Sequence, residues 1–164
     1  MRLPNNLNSF TLIEVLIVVG IMGILTMSAL PAFGTFADRR AFQNNVDVFS
    51  EKVRSVRSKA MSGVLASNKE VNWYLEATNS GTTYKIGSIM IASPYTDAFI
   101  TESLSGSGIS FDCTECRLVF QRLTGKRTSG SAGSSQNITV NYSKNGDTLS
   151  KVIKVYESGK IETQ

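Results

Sequence analysis

One stretch near the start of the chain decides its architecture: residues 10–33 read FTLIEVLIVVGIMGILTMSALPAF. No charged residue occurs from Val15 to Ala37, whereas the chain after Asp38 has an ordinary polar composition. As a helix, this run of 23 residues would be about 34 Å long, against about 30 Å of bilayer hydrocarbon. The run therefore predicts a membrane-spanning segment, followed by a globular region.

Two features of this region bear on whether the apolar run is a membrane span or a cleaved secretory signal, and on what Glu14 does there. A cleaved secretory signal has a shorter apolar region of about 7–15 residues, and the nearest candidate cleavage site here begins with the bulky Leu30. Glu14 lies at the edge of the run, where a carboxylate is costly unless it meets water or a cation. Glu14 is then either a hydrated residue at the membrane interface or the partner of an amino terminus made at Phe10.

The string FTLIEVLIV, residues 10–18, resembles the N-terminal motif of type IV pilins and type II secretion pseudopilins. The resemblance implies that residues 1–9 are a leader, that a prepilin peptidase cuts between Ser9 and Phe10, and that the new amine of Phe10 is methylated. It also implies that Glu14 pairs with the N-terminal amine of a neighbouring subunit and that Pro31 bends the first helix. Ser9 stands where the family nearly always has Gly.

Apolar residues continue beyond the uncharged run at the spacing of one helix face. They are Phe42, Val46, Phe49, Val53, Val56, Ala60 and Val64. We therefore predict one long helix with a transmembrane half over residues 10–37 and an amphipathic half over residues 38–63. Because this apolar stripe needs a partner, we expect it to pack against the domain that follows.

Residues 64–164 indicate a β-rich domain. Alternating apolar residues at 137–142 and 151–156 flank an Asn145-Gly146 turn, which is a strong hairpin signal. Further strands are predicted near 71–75, 84–91 (broken at Gly87), 109–111 and 117–123, and residues 160–164 read as a tail. The prediction is an α+β, pilin-like fold in which the helix covers one small antiparallel sheet.

The order of the later motifs resembles the GspH/FimT group of minor pilins and pseudopilins. These motifs are FQRLTG at 120–125, ITV at 138–140, and IKV at 153–155 followed by SGKI. The resemblance implies a single-pass protein of the bacterial inner membrane with a periplasmic domain, which joins a filament after assembly. Its partners would be other pilins or pseudopilins, the prepilin peptidase and an inner-membrane assembly platform.

The composition excludes several classes of function. The chain has no histidine and a net charge of +4, so a Ser-His-Asp triad and a His-ligated metal site are impossible. We predict no enzyme activity, cofactor, metal site or small-molecule substrate. The resemblance implies the function of a minor pilin or pseudopilin of a type IV pilus or type II secretion pseudopilus, supporting filament initiation or protein secretion.

Cys113 and Cys116 form a C-x-x-C pair. A structural disulfide suits the oxidising periplasm where a pilin domain would lie. Free thiols remain an alternative, as does a redox or metal site, although a redox site needs a helix N-terminus and the flanking residues read as strands.

A DNA-binding minor pilin for natural transformation is the alternative function. Arg122, Lys126 and Arg127 cluster around Gly125, and positioned cations are sufficient to contact phosphate. Some FimT-like minor pilins bind DNA through an arginine-rich C-terminal motif, which residues 159–164 lack. A solvated loop is the simpler interpretation of these three charges.

Overall fold

The computed structural model describes residues 11–66, 69–91, 99–129, 134–144 and 146–164, without the side chains of residues 28–33 and 35. The chain forms two compact units, Met1–Arg40 and Ala41–Gln164. A single helix, α1, runs from Leu12 to Met61 and contributes residues to both units.

In the first unit, α1 begins immediately after Thr11, whose carbonyl oxygen accepts hydrogen bonds from the backbone N–H groups of Glu14 and Val15. The Thr11 hydroxyl also accepts from the Glu14 N–H at 3.4 Å, as an N-cap side chain does. Within the described residues, no helix is both sufficiently long and sufficiently apolar to span a membrane. The transmembrane character predicted for residues 10–37 is therefore not shown by the structure.

The second unit contains two antiparallel sheets, where the sequence predicts one. The first sheet has the strand order β3-β2-β1-β5 and the second has the order β4-β6-β7-β8. The strands are β1 Val71–Ala77, β2 Thr83–Met90, β3 Ile100–Ser103, β4 Ile109–Asp112, β5 Arg117–Phe120, β6 Gln136–Lys144, β7 Asp147–Val155 and β8 Ile161–Thr163. The prediction of a single sheet is wrong because β5 pairs with β1, whereas β4 pairs with β6, so the chain changes sheets between β4 and β5.

Two local predictions about the strands are also wrong. Gly87 does not interrupt β2, because it keeps its place in the pairing with β1, opposite Tyr74. A Cβ atom at position 87 would lie only 2.8 Å from the Tyr74 ring. The glycine thus leaves room for a buried tyrosine within a continuous strand. The predicted tail contains β8, which pairs with the end of β7.

The apolar stripe on the second half of α1 lies in the core, as predicted. All six stripe residues from Phe42 to Ala60 are buried, whereas Val64, beyond the end of the helix, is 44% exposed. The Phe49 ring lies 5.2 Å from that of Tyr84 in β2 and 4.8 Å from that of Phe111 in β4, measured between centroids. One helical residue thus packs against both sheets, and α1 holds them around a shared core.

Candidate functional site

The first turns of α1 present an apolar surface that is exposed in the isolated chain. Every residue from Thr11 to Met27 is exposed, with Leu12 at 83% and Met27 at 79%. Exposed apolar surface of this extent is unfavourable in water and marks a region that contacts a membrane or another protein. This segment is therefore the strongest candidate for an interaction site in the first unit.

Glu14 places a carboxylate in the first turn of this apolar segment. An acidic side chain is favourable there because the helix dipole is positive at its N-terminus. Ser9 and Phe10, the predicted cleavage pair, lie outside the described residues, so the pairing of Glu14 with a processed amine stays a prediction. Pro31 lies within α1, in the stretch whose side chains are not described, and its predicted bend likewise stays a prediction.

A polar network fastens α1 to the first sheet. Lys52 Nζ lies 2.8 Å from Glu102 Oε1, and the Tyr84 hydroxyl donates a 2.6 Å hydrogen bond to Glu102 Oε2. The hydrogen bond from Lys52, followed by that from Tyr84, lowers the pKa of Glu102. Burial, reinforced by the Glu102 carboxylate, raises the pKa of Tyr84. Sequence reasoning missed this network because β3, which carries Glu102, was not predicted.

Cys113 and Cys116 form a disulfide, with an S–S distance of 2.07 Å, which confirms the first of the three interpretations. Cys113 follows β4 of the second sheet, and Cys116 precedes β5 of the first. The turn is fixed at both ends, because Cys116 O accepts from Ala77 N–H and Cys113 N–H donates to Asn79 Oδ1. The disulfide therefore lies where the chain passes from the second sheet to the first, between β4 and β5.

The structure does not bring Arg122, Lys126 and Arg127 together as one cationic surface. Arg127 is buried and donates hydrogen bonds to Gln136 Oε1 and to the Ser134 carbonyl oxygen. Arg122 forms a 2.9 Å ion pair with Glu70, while Lys126 is exposed. DNA binding at this trio stays a prediction, and only Lys126 of the three is an exposed residue.

Comparison with protein-family models gave a match at the N-terminus. Residues 5–30 match the model described as the prokaryotic N-terminal methylation motif, which is a type IV prepilin-like signal. Neither the curated proteins nor the solved structures gave a significant match.

This match supports a type IV pilin- or pseudopilin-type protein, and it points to a structural rather than an enzymatic role. It implies, in general terms, processing by a prepilin peptidase and assembly with other pilins. It also suggests a membrane-anchored or filament location.

Proposed function

We propose that the chain is a minor pilin or pseudopilin that assembles into a type IV pilus or a type II secretion pseudopilus. The observation that carries this proposal is the methylation motif at residues 5–30, which is followed by an exposed apolar helix and then by a folded α+β unit. Residues 10–37 would cross the bacterial inner membrane once, leaving the second unit in the periplasm. After assembly the chain would lie in the filament, where it supports filament initiation or protein secretion.

We assign the chain to the GspH/FimT group of pilins and pseudopilins. In that group a β-rich domain follows the first helix directly, and here β1 begins ten residues after α1 ends. Two four-stranded antiparallel sheets make up the rest of the second unit. This arrangement supports the assignment, together with the order of the motifs along the chain.

The proposed mechanism is assembly through the N-terminal segment. Cleavage before Phe10 by the prepilin peptidase frees an amine, which is then methylated but keeps its positive charge. An assembly platform in the inner membrane would bring subunits together, and Glu14 would accept the amine of a neighbour. A charge pair is poorly screened in a low-dielectric surrounding, so it favours one axial register of the helices over others.

The two ends of α1 would have different roles in the filament. Residues 11–27 offer the exposed apolar surface to neighbouring helices or lipid, whereas the apolar stripe of α1 from Phe42 to Ala60 is packed in the core of the second unit. Because Lys52 and Phe49 tie this part of α1 to the sheets, the second unit would follow the helix into the filament without repacking.

The test of this proposal is Glu14→Val in cells that form the filament, with Glu14→Gln as the isosteric neutral variant. Removing one member of a buried ion pair costs about 3–5 kcal/mol, so we expect incorporation to fall more than about tenfold. The measurement compares the sheared filament fraction with the membrane fraction by immunoblot. Glu51→Gln, which removes an exposed carboxylate from the second half of α1, is the matched control.

The expected result is that both Glu14 variants stay in the membrane fraction and leave the filament fraction. Normal incorporation of Glu14→Val would contradict the assembly role. Cleavage is tested separately by N-terminal sequencing of the mature chain, which should begin at Phe10. Ser9→Gly should process at least as completely as the natural sequence, and an N-terminus elsewhere would contradict the leader assignment.

A further inference from the structure

A cavity of about 250 Å³ lies where the Cys113–Cys116 turn meets the start of β6. Two of its lining residues, Arg127 and Gln136, are almost fully buried, at 4% and 5% exposure. The wall of the cavity also includes Thr114, Glu115, Ser135 and Asn137. The proposed filament role does not explain why a cation is buried at the wall of a polar cavity.

The Arg127 side chain donates its hydrogen bonds to neutral groups. Within the described residues, its guanidinium donates to Gln136 Oε1 at 3.2 Å and to the Ser134 carbonyl oxygen, and its buried Nε has no hydrogen-bond partner. Burying a cation is costly unless an anion lies nearby, and a guanidinium has five N–H donors to satisfy. In the described part of the chain, the hydrogen-bond acceptors of the guanidinium are thus neutral, and the guanidinium keeps unused donors.

Gln136 holds this arrangement in one orientation. Its Nε2 donates to the carbonyl oxygens of Glu115 and Arg117, so its Oε1 faces Arg127 and also accepts from the Ser129 hydroxyl at 3.0 Å. The Gln136 amide thus cannot rotate without losing several hydrogen bonds. The guanidinium is held in place before any ligand arrives, which lowers the entropic cost of binding.

We propose that this cavity binds a small carboxylate, of the size and kind of an acidic monosaccharide. The planar guanidinium matches a carboxylate with parallel hydrogen bonds. The hydroxyls of Thr114 and Ser135 and the amide of Asn137 suit the hydroxyl groups of a sugar. The proposal concerns a bound ligand rather than the substrate of a reaction, and it does not depend on the filament role.

Glu115 provides a test of whether the ligand is negatively charged. It is exposed and lines the same cavity, so its carboxylate repels an anion. Removing this charge should strengthen the binding of a carboxylate and should leave a neutral ligand unaffected. Removing the charge of Arg127 and removing the charge of Glu115 should therefore have opposite effects on the binding of a carboxylate.

The experiment uses the full-length chain in a neutral detergent, labelled with ¹⁵N and titrated with glucuronate at constant ionic strength. Glucose is the neutral counterpart of this probe, and inorganic phosphate is the second anion. We expect saturable shifts of the Gln136 side-chain amide and the Arg127 Nε–H resonances with glucuronate, and none with glucose. Absence of saturation with glucuronate, equal shifts with glucose, or tighter binding of phosphate would overturn the proposal.

Variants then locate the site. Arg127→Met should weaken glucuronate binding at least about tenfold, whereas Lys126→Met, which removes the same charge from an exposed neighbour, should leave it unchanged. Glu115→Gln should tighten it about twofold or more. Equal weakening by the Arg127 and Lys126 variants, or no tightening by Glu115→Gln, would overturn the proposal.

One further variant covers the case in which Arg127→Met does not fold. Asn137→Phe fills the cavity from an exposed position and leaves the buried charge untouched. This variant should weaken binding at least about tenfold while the melting temperature changes little. Unchanged binding in the Asn137→Phe variant would overturn the assignment of the cavity.

Discussion

The two halves of α1 have opposite relations to their surroundings, although they belong to one continuous helix. From Thr11 to Met27 every side chain is exposed, including the most apolar ones, whereas the stripe from Phe42 to Ala60 is buried against two sheets. The first half has its apolar surface available for other molecules, and the second half has used its own within the chain. Folding stability and assembly should therefore depend on different ends of the same helix.

The largest effect on folding should come from Phe49→Ala. This fully buried ring contacts both Tyr84 and Phe111, so its removal leaves a cavity between the helix and both sheets. Substitutions of this kind cost about 3–5 kcal/mol. Urea unfolding of the full-length chain in detergent, followed by Trp73 fluorescence, measures the change. A loss below about 1 kcal/mol would contradict the packing described for this residue.

The disulfide should have the next largest effect. The bond closes a loop between residues three apart in sequence, so the chain-entropy model gives about 2 kcal/mol, near the low end for disulfides. The Cys113→Ser and Cys116→Ser double variant should lose that amount in urea unfolding. Added reductant should lower the stability of the natural chain toward that of the variant and leave the variant unaffected. Equal sensitivity of both proteins to reductant would contradict this explanation.

A smaller and pH-dependent effect is expected at Glu102. Because hydrogen bonds from Lys52 and Tyr84 lower its pKa in the folded state, Glu102 contributes stability that is present above its unfolded pKa. This contribution is lost as the pH falls from about 4.5 through the lower folded value. Glu102→Gln should remove that part of the acid sensitivity. Unfolding midpoints measured between neutral pH and pH 3 in both proteins test the difference, and identical pH profiles would contradict it.

The smallest effect on folding is expected in the exposed half of α1. Leu16 is 65% exposed, so Leu16→Ala should change the free energy of unfolding of the second unit by less than about 0.5 kcal/mol. The same variant probes assembly, because it trims the apolar surface beside Glu14. A destabilisation comparable to that of Phe49→Ala would remove the distinction between the two halves.

The sequence predicted the helix and its buried face because the apolar spacing is a local property of the chain. Sheet membership is different, since it depends on which distant strands pair, and no local pattern distinguishes a β1–β5 pairing from a β4–β5 hairpin. β3 was missed because this edge strand buries little, with Ile100 being 64% exposed. Its omission also hid the Glu102 network.

Among the candidate sites, too, those formed by contiguous residues could be predicted from the sequence, whereas those that depend on distant residues could not. The N-terminal motif is contiguous, so residues 5–30 could be recognised from the sequence and matched by a family model. The burial of Arg127 could not be foreseen, because it depends on Gln136, nine residues away along the chain, and on the turn that Gln136 holds. Three neighbouring charges in sequence thus have three different environments in the fold.

The position of the disulfide has a consequence for the order of folding events. Cys113 and Cys116 are so close in sequence that their bond can form without either sheet being present. The bond would then hold the turn between β4 and β5 before the remaining strands have paired. Such a bond persists only in an oxidising compartment. With the second unit in the periplasm, as proposed above, the bond would form only after export, and export itself would help to time the folding of this unit.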